Sequence, residues 1–140
     1  GVALGLAAAL AAFGYLYLLR EYPAIFEHDR RAASELAHLH GGLLLLLGVV
    51  AAPLFEEFIF RGLVYRGMRR SLPARWSIVG SAAVFAICHP PVSVLPVFVM
   101  ATLAALGFEL TGWLVTPICV HMVYNGLVLL SGLFHRGAPL

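Results

Sequence analysis

At 140 residues the chain is bounded to one domain, and with 61% hydrophobic and 11% charged residues it lies far from the roughly 25% charged content of soluble domains. That excludes an ordinary soluble protein, and a formal charge of +2 excludes the strongly basic footprint of a nucleic-acid binder. Cys88 and Cys119 both fall in apolar segments, where a thiol behaves as a small hydrophobe, so they define no disulfide framework.

The spacing of apolar runs predicts five membrane helices in a single all-α polytopic bundle, with a first helix over 2–19 and a core over 41–134. Val2 to Leu19 is 18 uncharged residues, enough for a crossing at about 1.5 Å per residue. No Arg or Lys precedes it, so it lacks the basic start of a signal peptide. The chain begins at Gly1 rather than Met, which reads as a trimmed chain or a core domain lacking earlier helices. Residues 20–40 form a polar connection in which Ser34 to His40 reads as a short interfacial helix. His28, His38 and His40 there are solvated or interfacial, with no role assigned.

The second span starts near Gly41, runs through Glu56 and Glu57, and continues past Arg61, Arg66, Arg69 and Arg70 as an amphipathic stem until Pro73. The third covers Trp76 to Cys88 and stops at His89-Pro90-Pro91, because the residue before a proline is pushed out of the helical region. A fourth runs from Val92 to Phe108, Glu109 to Gly112 forms a turn, and the fifth runs from Trp113 to Phe134. Five arginines and no acid lie between Arg61 and Arg75, against three arginines and four acids in 20–40. The positive-inside rule therefore makes the 61–75 connection cytoplasmic and the 20–40 connection external. The expected location is a multi-pass position in a prokaryotic cell membrane.

A carboxylate at mid-bilayer depth costs about 2.5–3.5 kcal/mol on insertion scales, so an intramembrane acid is a functional-site hypothesis by default. Glu56 lies ten residues, about 15 Å, from Arg66. His89 lies fourteen residues past Arg75, and His121 and Asn125 nine and thirteen past Gly112, or about 21, 14 and 20 Å from the same side. All four fall in one slab. Glu57 points about 100° away from Glu56 around the helix and is placed to pair with Arg61 at i+4.

These residues carry a family resemblance. Glu56-Glu57-Phe58-Ile59-Phe60-Arg61 resembles the Glu-Glu-x-x-x-Arg motif of the CAAX-processing and bacteriocin-processing (CPBP, or Abi) intramembrane endopeptidases, which include Rce1-type CAAX proteases. Phe85 to His89 resembles their Phe-x-x-x-His motif, His121 to Asn125 their His-x-x-x-Asn motif, and Glu109-Leu110-Thr111-Gly112 is also similar to family members. The resemblance covers residues 56–125, and Rce1-type members carry more membrane helices than this chain. It implies an endopeptidase in which a water activated by Glu56 and His89 hydrolyses a peptide bond, with His121 and Asn125 stabilising the oxyanion. The catalytic set is then Glu56, Glu57, His89, His121 and Asn125, supported by Arg61 and Phe85. The substrate implied is a membrane-anchored or lipidated peptide, of prenylated CAAX or leader-peptide type. No cofactor is expected, although Glu56, His89 and His121 are the set a zinc ion would use, without the single-helix His-Glu-x-x-His pair.

Plainer readings stand beside these. Glu57 with Arg61 is a structural ion pair, His89 beside its prolines a core residue bonding freed carbonyls, His121 with Asn125 an interhelical polar clamp, and Phe85 packing alone. A transporter or proton relay also uses intramembrane carboxylates and histidines, but would show an internal repeat and paired broken helices. An inert immunity or scaffold protein on the same fold is the third reading.

Overall fold

The structure is a computed structural model that describes residues 1–22, 25 and 40–136, the last four by backbone alone. Five helices make up the described chain: α1 (Val2–Leu19), α2 (Gly41–Arg69), α3 (Ala74–Ile87), α4 (Val94–Thr111) and α5 (Val115–Arg136). Among the described residues there is no strand. Four of the helices are long and apolar enough to cross a membrane, and α3, with 14 residues, is shorter. A helix of that length spans about 21 Å, so its end and His89 stop short of a full crossing. The expected interfacial helix at Ser34 to His40, and His28 and His38, lie outside the described residues apart from His40, which caps the start of α2.

Helix α4 is the centre of the bundle, with eight of its 18 residues buried, and it packs on α1, α3 and α5. Its inner positions are small, with Ala101, Ala104 and Ala105 wholly buried, and this lets neighbouring backbones approach. Lipid tails are as apolar as leucine, so close backbone contact between small residues is what holds membrane helices together. The same device joins α1 to α5. A Cβ at Gly1 would lie 2.6 Å from Cys119 Cβ, and one at Gly5 2.7 Å from Val123 Cβ and 2.8 Å from the Val120 carbonyl. Because Gly1 meets 119 and Gly5 meets 123, the two helices run parallel.

Helix α2 is peripheral and shows Leu46, Leu47, Leu54, Phe55, Phe58 and Leu63 on its outer face, as a lipid-facing helix does. It is not a uniform α-helix. Residues Leu46–Ala51 and Phe58–Tyr65 form wider, five-residue turns on either side of the α-helical stretch Ala52–Glu57 that carries both glutamates. Such turns are uncommon and cluster at functional sites.

Two sequence expectations need correction at the α2 and α4 ends. Helix α4 continues through Glu109 to Thr111 and stops only at Gly112, whose positive φ of 71° suits glycine. Glu109 stays helical because its carboxylate is engaged. It accepts from the Tyr65 hydroxyl, from Arg69 Nε at 3.3 Å and from Arg69 Nη2 at 3.1 Å. The arginine stem stops short of Pro73: α2 ends at Arg69, which is clamped onto α4. The clamp places the 69–74 and 111–115 connections at one end of the bundle, where Gly1 also lies against Thr116.

Candidate active site

Helices α2 and α5 cross antiparallel, since Glu57 meets His121 while Gly48, further back, meets Asn125. This crossing brings the first and third sequence motifs together. His121 Nδ1 donates to Glu57 Oε1 at 3.0 Å, and His121 Nε2 faces Glu56 Oε2 at 3.8 Å. One imidazole therefore bridges two adjacent carboxylates that point to different sides of their own helix.

The two glutamates live in different surroundings. Glu57 is fully buried, with Oε1 on His121 and Oε2 3.0 Å from Arg61 Nε, the expected i, i+4 partner. Arg61 is also fully buried, and its Nη2 donates to the Ala101 carbonyl of α4 at 3.1 Å. The Nε contact is close but too oblique for a hydrogen bond, and Arg61 Nη1 has no partner among the described residues. The attraction there is that of two ions in a dry interior, where removing either partner strands the other. Glu56, by contrast, keeps 34% of its side chain exposed.

The second motif enters from α3. At the end of α3 the Phe85 carbonyl accepts from the Cys88 N–H at 3.3 Å, and His89 adds a second, shorter donor with its Nδ1 at 2.9 Å. A carbonyl can only accept, so Nδ1 carries the proton and Nε2 keeps its lone pair. Phe85, fully buried, lies against both histidines, Phe60 and Arg61. Its ring stacks on His89 at 4.8 Å, meets His121 edge-on at 5.5 Å and Phe60 at 4.7 Å, and lies 5.2 Å below the Arg61 guanidinium. Both histidines thus rest on one phenyl ring.

Asn125 is placed differently from its motif partners. Its amide donates to the Gly48 carbonyl of α2 at 2.8 Å. The cause is local to α2: the Ala52 N–H reaches back five residues to Leu47, and the next residue, Pro53, has no N–H. The Gly48 carbonyl is left without a donor from its own helix, and Asn125 supplies one. Gly48 also allows the approach, since a Cβ there would lie 2.8 Å from Leu129.

Among the described residues, no three His, Cys, Asp or Glu side chains are grouped so as to hold a metal ion. Glu56 and His121 converge, but His89 turns its Nδ1 to a backbone carbonyl. Sequence reasoning gave no side-chain role to Tyr65, Glu109 and Tyr124. An acid inside an otherwise apolar helix was the available signal for Glu109.

One buried and one part-exposed carboxylate, an arginine and two histidines, gathered from three helices, form a polar cluster within a polytopic membrane protein. The chain belongs to the type II CAAX prenyl endopeptidase Rce1-like family, whose model matches residues 38–127 and so includes all three motifs. It is similar to the membrane-embedded CAAX protease MroQ of Staphylococcus aureus (strain USA300), with 27% identity over 96 residues covering 64% of this chain. The match spans 39% of that relative's length. No solved structure gives a significant match.

Proposed function

We propose that the chain is the catalytic core of an intramembrane endopeptidase that hydrolyses a peptide bond in a membrane-anchored or lipidated substrate. The observation that carries this is the unequal treatment of the paired glutamates, with Glu57 buried and committed and Glu56 open and 3.8 Å from His121 Nε2. A structural ion pair needs only Glu57 and Arg61. The second, accessible acid at such depth is costly and calls for a task.

In this reading Glu56 takes a proton from water as the water oxygen bonds to the scissile carbonyl carbon, and the His89 Nε2 lone pair orients that water. The carbonyl becomes an oxyanion. Asn125 has a second amide N–H besides the one given to Gly48, and His121 Nε2 donates once it has exchanged a proton with Glu56. Collapse of the adduct breaks the C–N bond as His121 returns that proton through Glu56 to the amide nitrogen, giving a carboxylic acid and an amine that settle as carboxylate and ammonium. Glu57 holds the His121 ring by Nδ1, and Arg61 holds Glu57. Water activation rests on the carboxylate, with no metal.

The test is cleavage of membrane-anchored peptides by the chain reconstituted in nanodiscs. Wild type should cut and Glu56→Gln should not, at equal melting temperature. Wild type cutting only a soluble casein-like protein, or Glu56→Gln cutting as well as wild type, overturns the reading.

A further inference from the structure

A cavity of about 200 Å³ opens between α1, α4, α5 and the turn that follows His89. Its walls are Ala12 and Leu16 of α1, Val92 and Pro96 after the proline break, and Tyr124 and Val128 of α5. A dry pocket on the order of 150 Å³ accepts one benzene-sized ring, so this one has room for a single leucine- or phenylalanine-sized side chain. It is too small for a long isoprenoid chain as a whole.

Two of the lining residues follow motif histidines closely along the chain. Tyr124 is three residues after His121, on the neighbouring position of the same helix face. Val92 is three residues past His89. The pocket also has one polar feature awaiting a ligand: Tyr124 is only 5% exposed, yet its hydroxyl has no hydrogen-bond partner among the described residues. Ser93, the other polar lining residue, has its hydroxyl committed to the Pro90 carbonyl at 2.8 Å. An acyl tail would leave the Tyr124 hydroxyl unpaired, whereas a peptide residue brings an apolar side chain and a backbone amide together.

We propose that this cavity is the subsite for one apolar residue of the substrate, with Val128 and Leu16 setting the size it accepts and the Tyr124 hydroxyl bonding the adjoining backbone. The proposal rests on the endopeptidase reading above for its link to cleavage. It adds that α1, which lies outside the segment matched by the family, supplies one wall of the specificity pocket.

The test uses the Glu56→Gln chain in nanodiscs with membrane-anchored peptides that carry one diazirine-leucine at successive positions. One peptide position should crosslink to residues 124–128 and 12–16, with crosslinking at that position reduced about fivefold in Tyr124→Phe and more in Val128→Phe. With a Glu56-intact chain, Val128→Phe should shift preference from leucine to alanine at that position through KM, while kcat stays level. Leu16→Ala should widen the preference, a second reading in case Val128→Phe misfolds. Position-specific crosslinks without any cleavage by wild type sustain the pocket and sink the peptidase reading. Cleavage with unaltered preference and no cavity crosslink sinks the pocket and leaves the peptidase reading standing. Crosslinks of equal yield from every peptide position mark a lipid-filled crevice and overturn the proposal.

Discussion

His121 Nδ1 and Glu57 Oε1 meet at 3.0 Å across two antiparallel helices, and the other nitrogen of the same ring faces Glu56 at 3.8 Å. In the proposed reading the adjacent acids have separate duties through one imidazole.

Substitutions should separate those duties. Glu56→Gln is expected to abolish peptide cleavage with little change in melting, since the amide keeps the shape and loses the base. Glu57→Gln should destabilise by about 3–5 kcal/mol, because it strands a fully buried Arg61. The double variant Glu57→Gln/Arg61→Gln should recover part of that loss, as coupled partners do. Thermal unfolding in detergent beside a cleavage assay measures both. Full activity in Glu56→Gln, with Glu57→Gln inactive at unchanged stability, would reverse the assignment.

Asn125→Ala should cost about 1 kcal/mol by orphaning the Gly48 carbonyl. Pro53→Ala returns a backbone N–H to α2 at the position that can supply that carbonyl, so Asn125→Ala should cost less in a Pro53→Ala background. Equal costs in both backgrounds would show that Asn125 does not serve as the replacement donor.

Phe85→Ala empties a fully buried site and should destabilise by about 3–5 kcal/mol. Phe85→Leu is the sharper probe, because it keeps most of the apolar volume and removes the ring on which both histidines rest. Activity should fall about tenfold while melting changes by far less, since ring pairs add only about 0.5–1.5 kcal/mol beyond burial. Unchanged kcat in Phe85→Leu would reduce the residue to packing.

A strong chelator should leave cleavage intact, and added zinc should not raise it, because the bases proposed are Glu56 and His89. Loss of activity on chelation, with recovery by stoichiometric zinc, would transfer water activation to a metal.

From the arginine excess in 61–75, that connection is expected on the cytoplasmic side. In a chain lacking Cys88 and Cys119, a single cysteine at Ser71 should resist an impermeant reagent in intact cells, and one at Ser34 should react. The Arg69–Glu109 clamp adds a constraint, since a cysteine at Thr111 must behave like the one at Ser71. Opposite behaviour of those two positions would break the helix arrangement; labelling of both from outside would invert it.

Sequence by itself determined what depends on neighbours along the chain. Val2–Leu19 is a helix with the bounds its apolar run implies, α3 ends at the His89-Pro90 break, and Glu57 reaches Arg61 because residues four apart share a helix face. The three motifs were legible because charged and amide groups stand out against apolar spans. Tertiary structure decided what depends on which helices touch. Glu109 stays helical because Tyr65 and Arg69 arrive from α2 to bind it. Asn125 turns to Gly48 because a wide turn and Pro53, 72 residues earlier in the chain, free a carbonyl that must be paired once buried. Phe85 becomes the shared support of two histidines only when α2 and α5 close over α3, and the Tyr124 cavity exists only because the glycine and alanine face of α1 lets that helix seat against α5. A hydrophobic pattern fixes where a helix lies along the chain; the partner of a buried polar group is fixed by the short distances that packing creates, and these have no periodicity to read.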